Sequence, residues 1–197
     1  MKESADKLMW NRFTLREALC LSFCATFIII AKAVLRLHLH ITGHSMVFTM
    51  FFLILGRGCV QRLGAATFTG MIAGILSLVL GMGAKSGPLV ILKFLLPGVF
   101  IDCAAAVYPM LAYRYTACII AGALAAGSRA FIIGLVESLA GMESVLILQN
   151  MILASIMNMI FGGIGGAMVP TVVRRLVANR LIPSAGRDEI RMKDQGA

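Results

Sequence analysis

The sequence predicts an all-α membrane protein, a six-transmembrane-helix bundle with its N and C termini cytoplasmic. Of its 197 residues, 59% are hydrophobic and 14% charged, and the mean hydropathy is +0.91. That leaves too few polar side chains to cover a soluble globule of this size. The apolar residues fall in continuous blocks of about 20, the length that crosses a bilayer as a helix, and lack the period-two alternation of a membrane barrel. Short polar or basic breaks separate the blocks, and the chain has room for about six. The same composition excludes a collagen, a disulfide scaffold, a disordered chain and a DNA-binding domain.

Residues 1–13 are polar and no small-residue cleavage site follows them, so they read as a retained cytoplasmic tail rather than a signal peptide. Residues 14–176 hold the six helices. The first run, Thr14 to Leu37, carries Arg16 and Glu17 at one end and Lys32 and Arg36 near the other, where long charged side chains snorkel. A loop from His38 to His44 follows. The second run, Ser45 to Leu55, meets Gly56-Arg57-Gly58, ends near Arg62 and predicts a short or tilted helix. The third, Gly64 to Met82, has Gly70 and Gly74 at the spacing that lets helix backbones approach. A glycine-rich turn, Gly81 to Gly87, leads to Pro88 at a first helical position. The fourth run extends to near Ala112 and contains Lys93, Pro97 and Asp102.

After Arg114 the fifth helix is expected over Tyr115–Leu139, with a small-residue stretch from Ala121 to Gly127 and then Arg129. The sixth begins at Ser144, reaches about Val173, and includes Gln149, Asn150, Asn158 and a flexible stretch from Gly162 to Gly166. Residues 177–197 form a basic tail. Arg57, Arg62, Arg114, Arg174, Arg175 and Arg180 would lie on the same side as the tails. The opposite loops offer only Arg36 and Lys85, with Glu137 and Glu143, so the positive-inside rule places both ends in the cytoplasm. The formal charge of +9 is spread over these breaks and ends, which orients a chain in a bilayer and points to no nucleic-acid partner. The five cysteines lie in or beside apolar runs without paired spacing and read as small packing residues.

No P-loop, HExxH or GxSxG motif is present, so the chain is not an ATPase of the P-loop class and reads as no enzyme. The informative residues are ionisable and amide groups at membrane depth. A charge facing lipid costs at least roughly 2.5–3.5 kcal/mol, and one facing a cavity costs less. Counting about 1.5 Å per residue sets Lys32, Lys93, Arg129, Gln149 and Asn150 at one level in the outer leaflet, with Glu137 nearer the mouth. Together they would form an electropositive, hydrogen-bonding pocket for a small anionic or zwitterionic molecule. Asp102 and Asn158 lie deeper, near mid-membrane, where a helix-to-helix hydrogen bond and a ligand contact are both open. Lys93 and Asp102 stand on opposite sides of a straight helix unless Pro97 rotates it.

His38, His40 and His44 admit three readings: a metal site, an outer lid contacting substrate, or a plain interfacial loop. No Cys or carboxylate accompanies them, and the spacing matches no zinc pattern. Near the start of the first helix, Ala18 and Ser22 are small residues one turn apart, with Cys24 and Ala25 following. This groove suits either a partner helix or an internal contact.

With these features the chain resembles the substrate-binding S component of an energy-coupling factor (ECF) type ABC transporter. The likeness lies in size, six hydrophobic runs, cytoplasmic ends, the small-residue start of the first helix and the glycine-rich close of the last. His40-Ile-Thr-Gly-His-Ser45 through Leu55-Gly-Arg57, and Gly64-Ala-Ala-Thr-Phe-Thr-Gly70 with Leu96-Pro-Gly-Val-Phe-Ile-Asp102, are similar to S components without an assigned substrate. The resemblance implies a vitamin-like micronutrient as substrate, bound in the outer half of a plasma-membrane protein. It also implies docking by the first helix onto a transmembrane coupling (T) subunit served by two cytoplasmic ATPases, with toppling in the membrane to release substrate. ATP would be used by those partners, with no cofactor in this chain. The family's AxxxA docking motif would fall on Ala18 and Ser22, where Ser replaces the second Ala, with Ala25 beside them. Substrate motifs of the biotin, thiamine, riboflavin and folate members are missing, as is the amino-terminal Met-His of the nickel and cobalt members. Two other readings stand: an autonomous secondary transporter in which Asp102 relays a proton or ion, and a structural or assembly subunit that binds no solute.

Overall fold

The computed structural model describes residues 14–38, 45–60, 62–81, 87–108, 111–139, 141 and 144–179. The N-terminal tail, His40, His44 and the chain beyond Asn179 lie outside the described residues. Among the described residues six α-helices follow one another: α1 (Leu15–His38), α2 (Ser45–Cys59), α3 (Ala65–Val79), α4 (Val90–Val107), α5 (Tyr115–Leu139) and α6 (Ser144–Ala178). Single 3-10 turns, Gly87–Leu89 and Leu111–Tyr113, precede α4 and α5. Among the described residues there is no strand. α1, α4, α5 and α6 are long and apolar enough to cross a membrane. α2 and α3 are apolar but have 15 residues each, about 22 Å at 1.5 Å per residue.

Three boundaries differ from the sequence expectation. α3 ends at Val79 rather than Met82, just before Gly81, which takes φ 63°. α4 ends at Val107 rather than near Ala112, because Tyr108 leaves the helical region at φ −131°, ψ 88°. α6 runs unbroken through Gly162–Gly166 and Pro170 to Ala178. The glycines expected to be flexible are instead a packing face. The backbones of α5 and α6 meet there so closely that a β-carbon on Gly122 would stand 2.6 Å from the Gly162 carbonyl oxygen. Gly165 faces the Val47 backbone of α2 in the same way. Helices without side chains at the contact gain dispersion and Cα–H···O contacts that larger residues would prevent.

α3 and α4 cross by the same device. A β-carbon on Gly70 would lie 2.5 Å from the Phe94 carbonyl oxygen, and one on Gly98 would lie 2.7 Å from that of Ala66. The pairs 70 with 94 and 66 with 98 make these helices antiparallel, as 118 with 166 and 122 with 162 do for α5 and α6. Gly122→Ala is therefore expected to cost about 1–3 kcal/mol through overpacking and to lower the unfolding temperature in detergent. Gly163→Ala, whose β-carbon would meet nothing closer than 3.5 Å, should be close to neutral.

α1 opens on a reciprocal cap. The Thr14 N–H donates to Glu17 Oε2 (2.8 Å) and the Glu17 N–H donates to Thr14 Oγ1 (3.4 Å), satisfying two of the helix's orphan donors. Glu17 also pairs with Arg62 at 3.2 Å, which ties the first turn of α1 to the connection between α2 and α3. The core is built from Ala25, Ile28, Met50, Leu53, Ile54, Phe94, Ile101, Val169 and Val173. Leu15, Leu19, Phe23, Phe27, Ile30 and Val34 form the exposed face of α1, apolar as a lipid-covered face must be.

Candidate functional site

One layer near the α1–α2 end of the bundle gathers cations from three helices. From α1, the Lys32 Nζ stands 4.4 Å above the centre of the Phe94 ring on α4. From α5, the Arg129 Nη1 donates to the Met46 Sδ of α2 at 2.9 Å. Lys93, next to Phe94, interacts electrostatically with both Arg129 and Glu137. Met46 and Phe94 are each 1% exposed, so the layer has an apolar floor. The helix crossings explain this placement: the absent side chain at Gly70 admits the α4 backbone at Phe94, which brings Phe94 and Lys93 to the level of Lys32.

The layer is polar beyond its own means of satisfaction. The Arg129 Nε and the Glu137 Oε2 are buried without a hydrogen-bond partner. The acceptor at Arg129 Nη1 is a thioether, a weak one. Buried polar groups are normally paired, and an unpaired one costs roughly 1–3 kcal/mol. An anionic group entering the layer would supply the acceptors that the guanidinium lacks, and a bidentate carboxylate or phosphate matches its fork.

Of the residues expected to share this level, Lys32, Lys93 and Arg129 come together and the two amides do not. Gln149 and Asn150 are exposed on α6. α6 packs there through a narrow face that includes Met151, whose sulfur sits against Gly134 of α5. Gln149 stands about half a turn from the buried face marked by Asn158, nine residues on. Asn158 itself is 7% exposed and shares the packed face of α6 with Gly162 and Gly165. His44 lies outside the described residues. Among the described residues no group of three or more His, Cys, Asp or Glu could hold a metal ion.

Asp102 lies in the last two turns of α4 and serves the opposite end of the bundle from the cationic layer. Its Oδ2 accepts from the Thr67 N–H (2.7 Å) and Thr67 Oγ1 (2.6 Å), and its Oδ1 accepts from the Ala66 N–H at 3.3 Å. A carboxylate on α4 thus caps α3 from outside, where Gly64 offers no side chain. Arg57 Nε lies 3.6 Å from Asp102 Oδ1, with both side chains 10% exposed, and Arg57 Nη1 donates to the Val60 carbonyl at 3.2 Å. From the sequence Arg57 is one of the side-determining charges, and its pairing with Asp102 is not among the expectations. The available signal was that the Gly56-Arg57-Gly58, Ala66-Thr67 and Asp102 segments all fall at one end of consecutive antiparallel helices.

Ala18 and Ser22 are half-buried, and the Ser22 hydroxyl donates to the Ala18 carbonyl at 2.8 Å. Ala25 is fully buried and belongs to the core rather than to a free face. Leu21 and Cys24, on the same side of α1, pack on Gly56 of α2. The cysteines are unpaired.

No protein-family model matches the chain, and no curated protein matches it. Among solved structures, the crystal structure of an S component of an ECF transporter is similar to it, with a TM-score of 0.60, 14% sequence identity, and 94% of this chain and 97% of that chain covered. Likeness at that identity is likeness of fold, and the chain shares the S-component fold over nearly its whole length.

Proposed function

We propose that this chain is the membrane-embedded substrate-binding subunit of an ECF-type importer. It captures a small, vitamin-like anionic or zwitterionic micronutrient, and partner subunits drive uptake with ATP. The observation that carries this reading is the Lys32, Lys93 and Arg129 layer, with its unpartnered guanidinium nitrogen, inside an S-component fold. In this reading all six helices lie in the plasma membrane with the termini cytoplasmic. The cationic layer then opens outward, where it draws an anion in and holds it after its water is shed. The test is mass spectrometry of small molecules that co-purify with the protein, followed by uptake in vesicles with and without the ATPase partners. A retained solute and ATP-dependent uptake are expected. An empty protein would favour an assembly subunit, and uptake by the isolated chain under an ion gradient would favour an autonomous carrier. Against the latter, Asp102, its candidate proton relay, is engaged by Arg57, Thr67 and the α3 backbone.

The coupling subunit would dock on α1 along the edge that carries Ala18 and Ser22, beside the exposed Leu19 and Phe23. Ala18→Trp or Ser22→Trp is expected to abolish co-purification with the coupling subunit while leaving solute binding within about twofold. Normal assembly of both variants would remove this edge from the interface.

A further inference from the structure

The layer holds a second unsatisfied group of opposite sign, and the two orphans together describe a ligand. Arg129 and Glu137 lie eight residues apart on α5, about 12 Å along the helix axis, with Lys93 of α4 interacting with both. One Glu137 oxygen is left without a hydrogen-bond partner in the interior, as is the Arg129 Nε. A simple anion would satisfy the guanidinium and leave the carboxylate oxygen bare. A simple cation would do the reverse and meet three cations, Lys32, Lys93 and Arg129. Resting on the substrate-binding reading above, we infer that the solute is bipolar: a carboxylate or phosphate at one end seated on Arg129, and an N–H or O–H donor at the other seated on Glu137.

The floor made by Met46 and Phe94, both almost fully buried, limits how deep the anionic end can go. The donor end therefore points along α5 toward its C-terminal end. Three cations against one carboxylate leave the site net positive, so the anionic end dominates affinity and the donor end sets selectivity. A site built to hydrogen-bond a donor rejects an analogue that lacks it, because the buried acceptor is then left unpaired.

The experiment uses the full chain in lipid nanodiscs and three probes of matched length: 6-aminohexanoate, hexanoate and hexylamine. By calorimetry, 6-aminohexanoate is expected to bind about tenfold or more tightly than hexanoate, and hexylamine not to bind. Glu137→Gln should erase the preference for 6-aminohexanoate over hexanoate. Arg129→Gln should abolish both. Equal binding of hexanoate and 6-aminohexanoate by the wild type, or a preference that survives Glu137→Gln, overturns the bipolar class. Hexanoate binding that still depends on Arg129 would in that case leave the solute site standing. Failure of every probe to bind the wild type also overturns the class, and the co-purified solute then judges the substrate-binding reading separately.

Discussion

Arg129→Ala is expected to weaken solute binding by about a hundredfold or more, while Arg174→Ala at the opposite end of the bundle changes it by less than twofold. The two residues differ in what water can do for them. Arg174 is exposed, stacked over Tyr115 at 5.2 Å, so its charge is solvated and screened whether or not a ligand is present. Arg129 is half-buried, with an Nε closed off from any acceptor and an Nη1 held by a thioether, so an incoming anion supplies an acceptor that the Nε otherwise lacks. Truncating one partner of a buried, charge-assisted pair costs about 2–5 kcal/mol, and about 2.8 kcal/mol is a hundredfold in Kd. Arg129→Lys keeps the charge but loses the planar fork, and an intermediate loss of about tenfold is expected. Dissociation constants for the co-purified solute measure all three, and equal losses in Arg129→Ala and Arg174→Ala would remove Arg129 from the site.

Asp102→Ala is expected to lower folding stability by about 3–5 kcal/mol, since it leaves the buried Arg57 guanidinium without its counter-charge and uncaps α3. The carboxylate takes two backbone N–H groups, one hydroxyl and one guanidinium, so its loss is felt on α2, α3 and α4 together. Asp102→Asn retains an acceptor for Thr67 and should lose less. Thr67→Val, which removes one hydroxyl bond, should cost about 1 kcal/mol. Thermal unfolding in detergent ranks the three. The folded fraction of Asp102→Asn should bind solute like the wild type, and a selective loss of binding without loss of stability would return Asp102 to the site.

The helices were legible because their determinants are local: apolar runs of bilayer length, with Gly, Pro or charged residues at the breaks. Tyr115–Leu139 is reproduced at both ends. The convergence of Lys32, Lys93 and Arg129 was legible too, since counting residues from the helix ends gives depth when neighbours are antiparallel. Depth is not direction, however. Gln149 and Asn150 stand level with the Gly134 region of α5 rather than with Arg129 and are exposed, so level and direction both differ, and the register that decides them is set where Gly122 and Gly162 meet. The same contact explains why Gly162–Gly166 reads as flexible in isolation but packs rigidly in the bundle. Asp102 escaped because two of its partners are free N–H groups of a helix start, which carry no side-chain signal, and the other two, Arg57 and Thr67, come from segments distant in the sequence.

The helices of this bundle do not share one length. α6, with 35 residues, is about 52 Å long, whereas the hydrocarbon of a bilayer is about 30 Å thick and α2 and α3 fall short of that. On the proposed six-span topology, hydrophobic mismatch of both signs is built into one molecule: the long rod would lean or protrude, and lipid beside the short pair would thin. In that topology, reconstitution in shorter-chain lipids would relieve the short pair and strain the long rod, so the surrounding acyl chains would act as a mechanical load on the α5–α6 hairpin, the element that carries Arg129.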